Sequence, residues 1–87
     1  MKTTYNHDSL KRHKVTEEEA DEVYATGIDF DLEPSEDGND RIMVVAVTSM
    51  GRLLEIGIEY RADGNEHVFH ASDATKPYQA HFEKYVR

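Results

Sequence analysis

Lys11, Arg12, His13 and Lys14 set three cations beside an imidazole. Two further histidines, His67 and His70, come late in the chain, after Arg52 and Arg61. Cleaving RNA by transesterification needs a base for the 2′-hydroxyl proton and an acid for the departing 5′-oxygen. It also needs cations to hold the phosphorane, whose charge grows in the transition state. Histidine, lysine and arginine suit those tasks. The same residues have a plainer reading. His13 can close a helix where the dipole favours positive charge, His70 can be a hydrogen-bonded, half-buried strand residue, and the lysines and arginines can be solvated surface charges.

Two other groupings carry chemistry-capable side chains. Asp29, Asp31 and Glu33, followed by Glu36, Asp37 and Asp40, are rich in carboxylate oxygen. Such clusters can hold hard cations, but Asp37-Gly38-Asn39-Asp40 lacks the ligand spacing of an EF-hand loop, so no metal is expected. A solvated strand face is expected instead, with a basic protein as its functional counterpart. His70-Ala71-Ser72-Asp73 contains the residue types of a catalytic triad, but neighbours at a strand end are not expected to meet as nucleophile, base and orienter.

With 18 acidic against 10 basic side chains the formal net charge is −8. That field repels phosphate backbones, so affinity for nucleic acid requires the basic residues to gather in one patch. Cysteine is absent, which excludes disulfides and thiolate metal sites and suits a reducing cytoplasm. No apolar run approaches the roughly 20 residues of a membrane span, and the opening MKTTYNHD lacks the apolar block of a signal peptide. A cytoplasmic protein without membrane contact or cofactor is expected. At 87 residues the chain should form a single domain over 1–87, near the lower size limit for a core without staples.

The elements that must position these side chains centre on Arg41 to Arg61. Two apolar runs, RIMVVAVT and LLEIGIEYR, are joined by a turn at Gly51, which reads as a hairpin. Leu54, Ile56, Ile58 and Tyr60 fall on one face of the second run, with Glu55, Gly57 and Glu59 on a wetter one. Ahead of the hairpin, a short helix capped by Asn6 or Asp8 runs to His13. A second helix begins at the Thr16/Glu19 capping box, buries Ala20, Val23 and Tyr24, and stops at Gly27. Ile28, Phe30 and Leu32 alternate with Asp29, Asp31 and Glu33 in a strand, and Pro34 to Asp40 is a loop. After a turn at Asp63-Gly64, His67 to Ala71 makes another strand. A last helix, capped by Asp73 or Thr75, carries Tyr78, Phe82 and Tyr85 at helical spacing. The expected fold is α+β, an antiparallel four-stranded meander with two N-terminal helices and one C-terminal helix packed on one face.

Placed in this order, several motifs resemble those of the BrnT family, toxins of bacterial toxin-antitoxin pairs. Tyr5, Arg12, His13, Val15, Glu18, Glu19, Ala20, Val23 and Tyr24 are similar to its N-terminal signature. Arg41 at the head of an apolar strand, GRLL at Gly51 to Leu54, and HASDAT at His70 to Thr75 occupy the positions of its later motifs. The resemblance spans nearly the whole chain. It implies a RelE-like fold, ribonuclease activity on mRNA, and a ribbon-helix-helix antitoxin as partner. On it, the site would draw on His13, Arg12, Arg52, Arg61, His70 and Lys76, with a histidine as acid or base and the cations on phosphate.

This chain departs from the pattern in four places: its first helix is about a turn shorter, its closing helix lacks the family's Arg-rich run, and two motif positions carry other residues. Lys14 replaces a glycine whose turn favours positive φ, and Ser72 and Asp73 stand where the family carries arginines. The alternative is a non-catalytic relative, an acidic protein-binding module that uses its acidic strand and loop. A homo-oligomer, at its simplest a homodimer, could use the Met43 and Val45 face.

Overall fold

The computed structural model describes residues 2–86. Along the chain it forms β1 (Thr3–Tyr5), α1 (His7–His13), α2 (Glu17–Thr26), β2 (Ile28–Leu32), β3 (Arg41–Val47), β4 (Leu53–Tyr60), β5 (Glu66–Asp73) and α3 (Lys76–Val86). The fold is α+β. Strands β2 to β5 follow one another antiparallel as expected, but the sheet has five strands in the order β1-β5-β4-β3-β2, with β1 parallel to β5. It is therefore mixed, and the expectation of a purely antiparallel four-stranded sheet is corrected. Thr3-Thr4-Tyr5 is too short to show a period, and its partner segment Glu66–Val68 lies at the far end of the sequence.

The helices are also divided differently from the expectation. α1 and α2 cover one face, where Leu10, Val15, Ala20 and Val23 pack with Val44, Ala46, Leu54, Ile56, Ile58, Val68 and Ala71. α3 lies on the opposite face, where Tyr78 and Phe82 pack with Phe30, Leu32, Met43, Val45 and Leu53. The greasy second face of β3 is the cause: Met43 and Val45 are buried, and burying them requires a second layer. That layer covers the Met43 and Val45 face.

Local chemistry explains the boundaries. The Asn6 side chain accepts the Ser9 N–H at the start of α1. At its end Lys14 adopts φ 55°, ψ 45°, and its N–H and that of Val15 return to the Leu10 carbonyl. Lys14 thus occupies a left-handed conformation in which a side chain costs roughly 1–2 kcal/mol. In α2 both halves of the Thr16/Glu19 capping box are made. Gly27 ends α2 by close approach and not by handedness: its backbone is extended, and a Cβ there would sit 2.6 Å from the Val23 carbonyl oxygen and 2.9 Å from that of Val45. The three turns of the meander share one design. The Gly38, Gly51 and Gly64 N–H groups bond the carbonyls of Ser35, Thr48 and Arg61, three residues back, and each glycine has positive φ.

Pairing of β4 with β5 slips between Gly57 and Ile58, leaving Phe69 as the extra residue of a bulge. Its ring lies over Gly57, where a Cβ would fall 2.6 Å from Phe69 Cζ, and the Arg41 guanidinium sits 5.3 Å from the ring centroid. After the bulge His70 and Ser72 face the same way, opposite Gly57 and Glu55. Among the described residues no helix is long and apolar enough to cross a membrane.

Candidate functional site

Three of the six candidate residues meet where the end of α1, the start of β4 and the end of β5 come together. The His13 and His70 rings are edge to face with centroids 6.0 Å apart. α1 brings His13 there by lying along β5: the Asn6 N–H bonds the Val68 carbonyl, and Ser9 Oγ takes the Ala71 N–H at 3.3 Å. Arg52 enters from the β3–β4 turn. Its Nη1 donates to the Lys14 carbonyl at 2.8 Å and to both Glu19 carboxylate oxygens at 3.1 and 3.2 Å, while Nη2 donates to Asp73 Oδ1 at 3.2 Å.

The other three candidates stand apart. Arg61 follows β4 at its far end, on the order of 25–30 Å along the strand from Arg52, and its Nε donates to Glu59 Oε1. Arg12 on α1 and Lys76 at the start of α3 are exposed, and neither joins the hydrogen-bonded network around His70. No single pocket of cations forms from the six.

The centre of that network is Glu55, which the alternation of β4 assigned to a wetter face. It is buried, with 4% of its side chain exposed. Its Oε1 accepts the Thr75 N–H at 2.6 Å, at the entry to α3, and its Oε2 lies 3.1 Å from His70 Nε2. Ser72 Oγ lies 3.1 Å from the same nitrogen and donates to the Asp73 carbonyl. His70 and Ser72 therefore touch, because residues two apart on a strand share a face. They still do not form a nucleophile and base. A carboxylate only accepts, so the shared proton belongs to His70 Nε2, which donates to both oxygens and has no lone pair for the serine proton.

Electrostatics reinforces this. Burial works against the Arg52 charge, but Asp73 and Glu19 outweigh it and hold the guanidinium more firmly protonated than in water. The Thr16 backbone N–H, with help from Arg52, holds the Glu19 carboxyl below its ordinary value. His67, on the same strand as His70, has its imidazole pushed toward the neutral form by burial and by Arg61. Its Nδ1 is 2.7 Å from Thr4 Oγ1, across the β1–β5 junction.

Three hollows of about 430, 380 and 440 Å3 are lined by residues around Tyr5 and Tyr24, around Phe30 and Tyr85, and around Asp31 and Tyr60. None of the three is lined by His13, Arg52 or His70. Among the described residues no group of three His, Asp or Glu side chains is arranged to hold a metal ion. Glu55, Glu19 and Ser72 are the members of the network that sequence patterning missed. The available signal was a glutamate inside an otherwise apolar run, LLEIGI, which a strand buried on both faces would have to satisfy internally. Comparison with protein-family models, with curated proteins and with solved structures found no match to this chain.

Proposed function

We propose that this chain is a BrnT-like, RelE-like protein that does not cleave RNA and acts as an acidic binding module for a basic protein. The observation that carries the reading is the state of Arg52, the cation bonded to Lys14, next in the chain to His13. Two carboxylates and a carbonyl already engage its two terminal nitrogens. A phosphorane needs unengaged, preorganised positive charge, whereas here a phosphate would have to displace Glu19 and Asp73 and sit beside them. Asp73 is also one of the positions where the BrnT resemblance calls for arginine. The resemblance names a ribbon-helix-helix protein as the basic partner, and the carboxylates of β2 and the following loop give the surface such a protein would meet.

The decisive assay incubates the purified chain with labelled single-stranded RNA and with translating ribosomes, alongside expression in growing bacteria. Intact RNA and unimpaired growth are expected. Cleavage that disappears in His70→Ala would overturn the binding-module reading. One observation favours that ribonuclease alternative: the 6.0 Å approach of the His13 and His70 rings, close enough for an acid and a base to share one substrate.

A further inference from the structure

β2 is the outermost strand on the side away from β1, so one row of its backbone N–H and C=O groups has no strand beside it among the described residues. Its side chains sort cleanly between the two faces. Asp29 and Asp31, opposite Val44 and Ile42 of β3, are exposed on the face that carries α2. Phe30, opposite Met43, turns to the face that carries α3. There its ring centroid lies 5.4 Å from that of His81 and 5.6 Å from that of Tyr85. These three rings and Lys84 line the hollow of about 380 Å3, and Tyr85 is 65% exposed. On the aspartate face, Asp31 and Asp40 share the hollow of about 440 Å3 with Ile42, Tyr60 and Arg41, whose Nε donates to the Glu33 carbonyl and whose guanidinium lies over the Phe69 ring. The edge thus offers backbone hydrogen bonds, acids on one side and an aromatic hollow on the other.

We infer that the free edge of β2 receives an extended segment of a basic partner protein as an added strand. Lysine or arginine two residues apart would meet Asp29 and Asp31, and the apolar residue between them would enter the hollow beside Phe30. The inference rests on the binding-module reading and adds the surface and the partner's local pattern. In strand addition the main chain supplies affinity and the alternating side chains supply specificity. Directly opposed residues have Cβ atoms about 4.5–5.5 Å apart, within reach of an ion pair. Charge selects the occupant. A second copy pairing through β2 would set Asp29 and Asp31 against the same acids, with −8 facing −8. Nucleic acid would meet the same repulsion. Lys84 stands on the aromatic side, so positive charge is favoured only where the aspartates are.

The test titrates the isotope-labelled full chain with the peptide Lys-Leu-Lys-Leu-Lys-Leu-Lys. Controls are a peptide of the same composition with its lysines and leucines in separate blocks, and the alternating peptide N-methylated at every second residue. The alternating peptide should bind roughly tenfold tighter than the blocked one and protect the amides of 28–32 from exchange. The N-methylated peptide should fail to bind. The double variant Asp29→Lys with Asp31→Lys, its far-UV spectrum unchanged, should weaken binding by about tenfold or more. Equal binding of the alternating and blocked peptides, binding unaffected by the double variant, or protection elsewhere would overturn strand addition and leave the binding module standing. Dimerisation of the chain through β2 would overturn the choice of occupant. Failure of every cationic peptide to bind would overturn the module along with it.

Discussion

Beyond β5 the sheet is closed by the N-terminal segment: β1 supplies three residues of parallel pairing, and α1 then lies along the rest of the strand. Beyond β2 the described chain supplies nothing, and the edge is left to Asp29, Asp31 and solvent. The two margins handle the same unpaired backbone differently. At β5 two of these groups find specific partners beyond the β1 pairing: Val68 O has the Asn6 N–H, and Ala71 N–H has Ser9 Oγ. At β2 like charge discourages unwanted pairing without satisfying the backbone, which leaves the strand available to a partner that brings the opposite charge. A closed margin depends on packing and buried hydrogen bonds. An open one depends on charge, which contributes little to stability and much to selection.

Substitutions on the two margins should therefore differ sharply in cost. Leu10→Ala, in the buried face of α1, should lose about 2–5 kcal/mol in urea denaturation, while Asp31→Asn on β2 should stay within about 0.5 kcal/mol of the parent. Similar losses for both would mean that β2 is packed and not free. Ser9→Ala should cost about 1–3 kcal/mol by leaving the Ala71 N–H without a partner. Faster exchange of that amide is the accompanying sign, and unchanged exchange would show that Ser9 does not close the margin. Lys14→Gly should stabilise by about 1 kcal/mol, read as a higher Tm, because glycine accepts the left-handed backbone at the end of α1 without strain.

The smallest effect is on pH dependence, and its His67 part belongs to the closed side. Glu19 is held below its ordinary 4.5 in the folded chain. Its contribution to stability is complete above that value and is lost as pH falls through the lower folded one. His67 is held below 6.5. The unfolded chain therefore takes up this proton first, and stability declines as pH drops below 6.5 toward the folded value. Both act in the same direction, so stability should fall with acidification. His67→Gln should flatten the part of the profile just below 6.5 and keep the steeper loss at lower pH. A slope unchanged in that variant would remove His67 from the account.

Much of the fold could be read from local signals. Alternation in Ile28 to Leu32, the capping box at Thr16 and Glu19, and the turns at Gly51 and Gly64 each depend on residues a few positions apart. The two-faced apolar character of β3 was also legible, and it required covering on both sides, yet all helices were expected on one. The candidate site was harder to read, because its decisive contacts join residues distant in the chain. Arg52 lies 38 positions from Lys14 and 33 from Glu19. Glu55 reaches His70 across 15 positions and Thr75 across 20. Residue type shows that Arg52 is a cation, but not whether its donors are free.

By itself the sequence determined the elements from α1 onward, their order, the antiparallel run from β2 to β5 and the acidic surplus, since backbone geometry and side-chain alternation act over one turn or one strand. Only the tertiary structure decided that β1 pairs with β5, that α3 covers the second face, that Arg52 is held between two carboxylates, and that β2 keeps an open edge among the described residues. Each of these depends on which distant segments share space, which follows from burying both apolar faces at once and not from any local period.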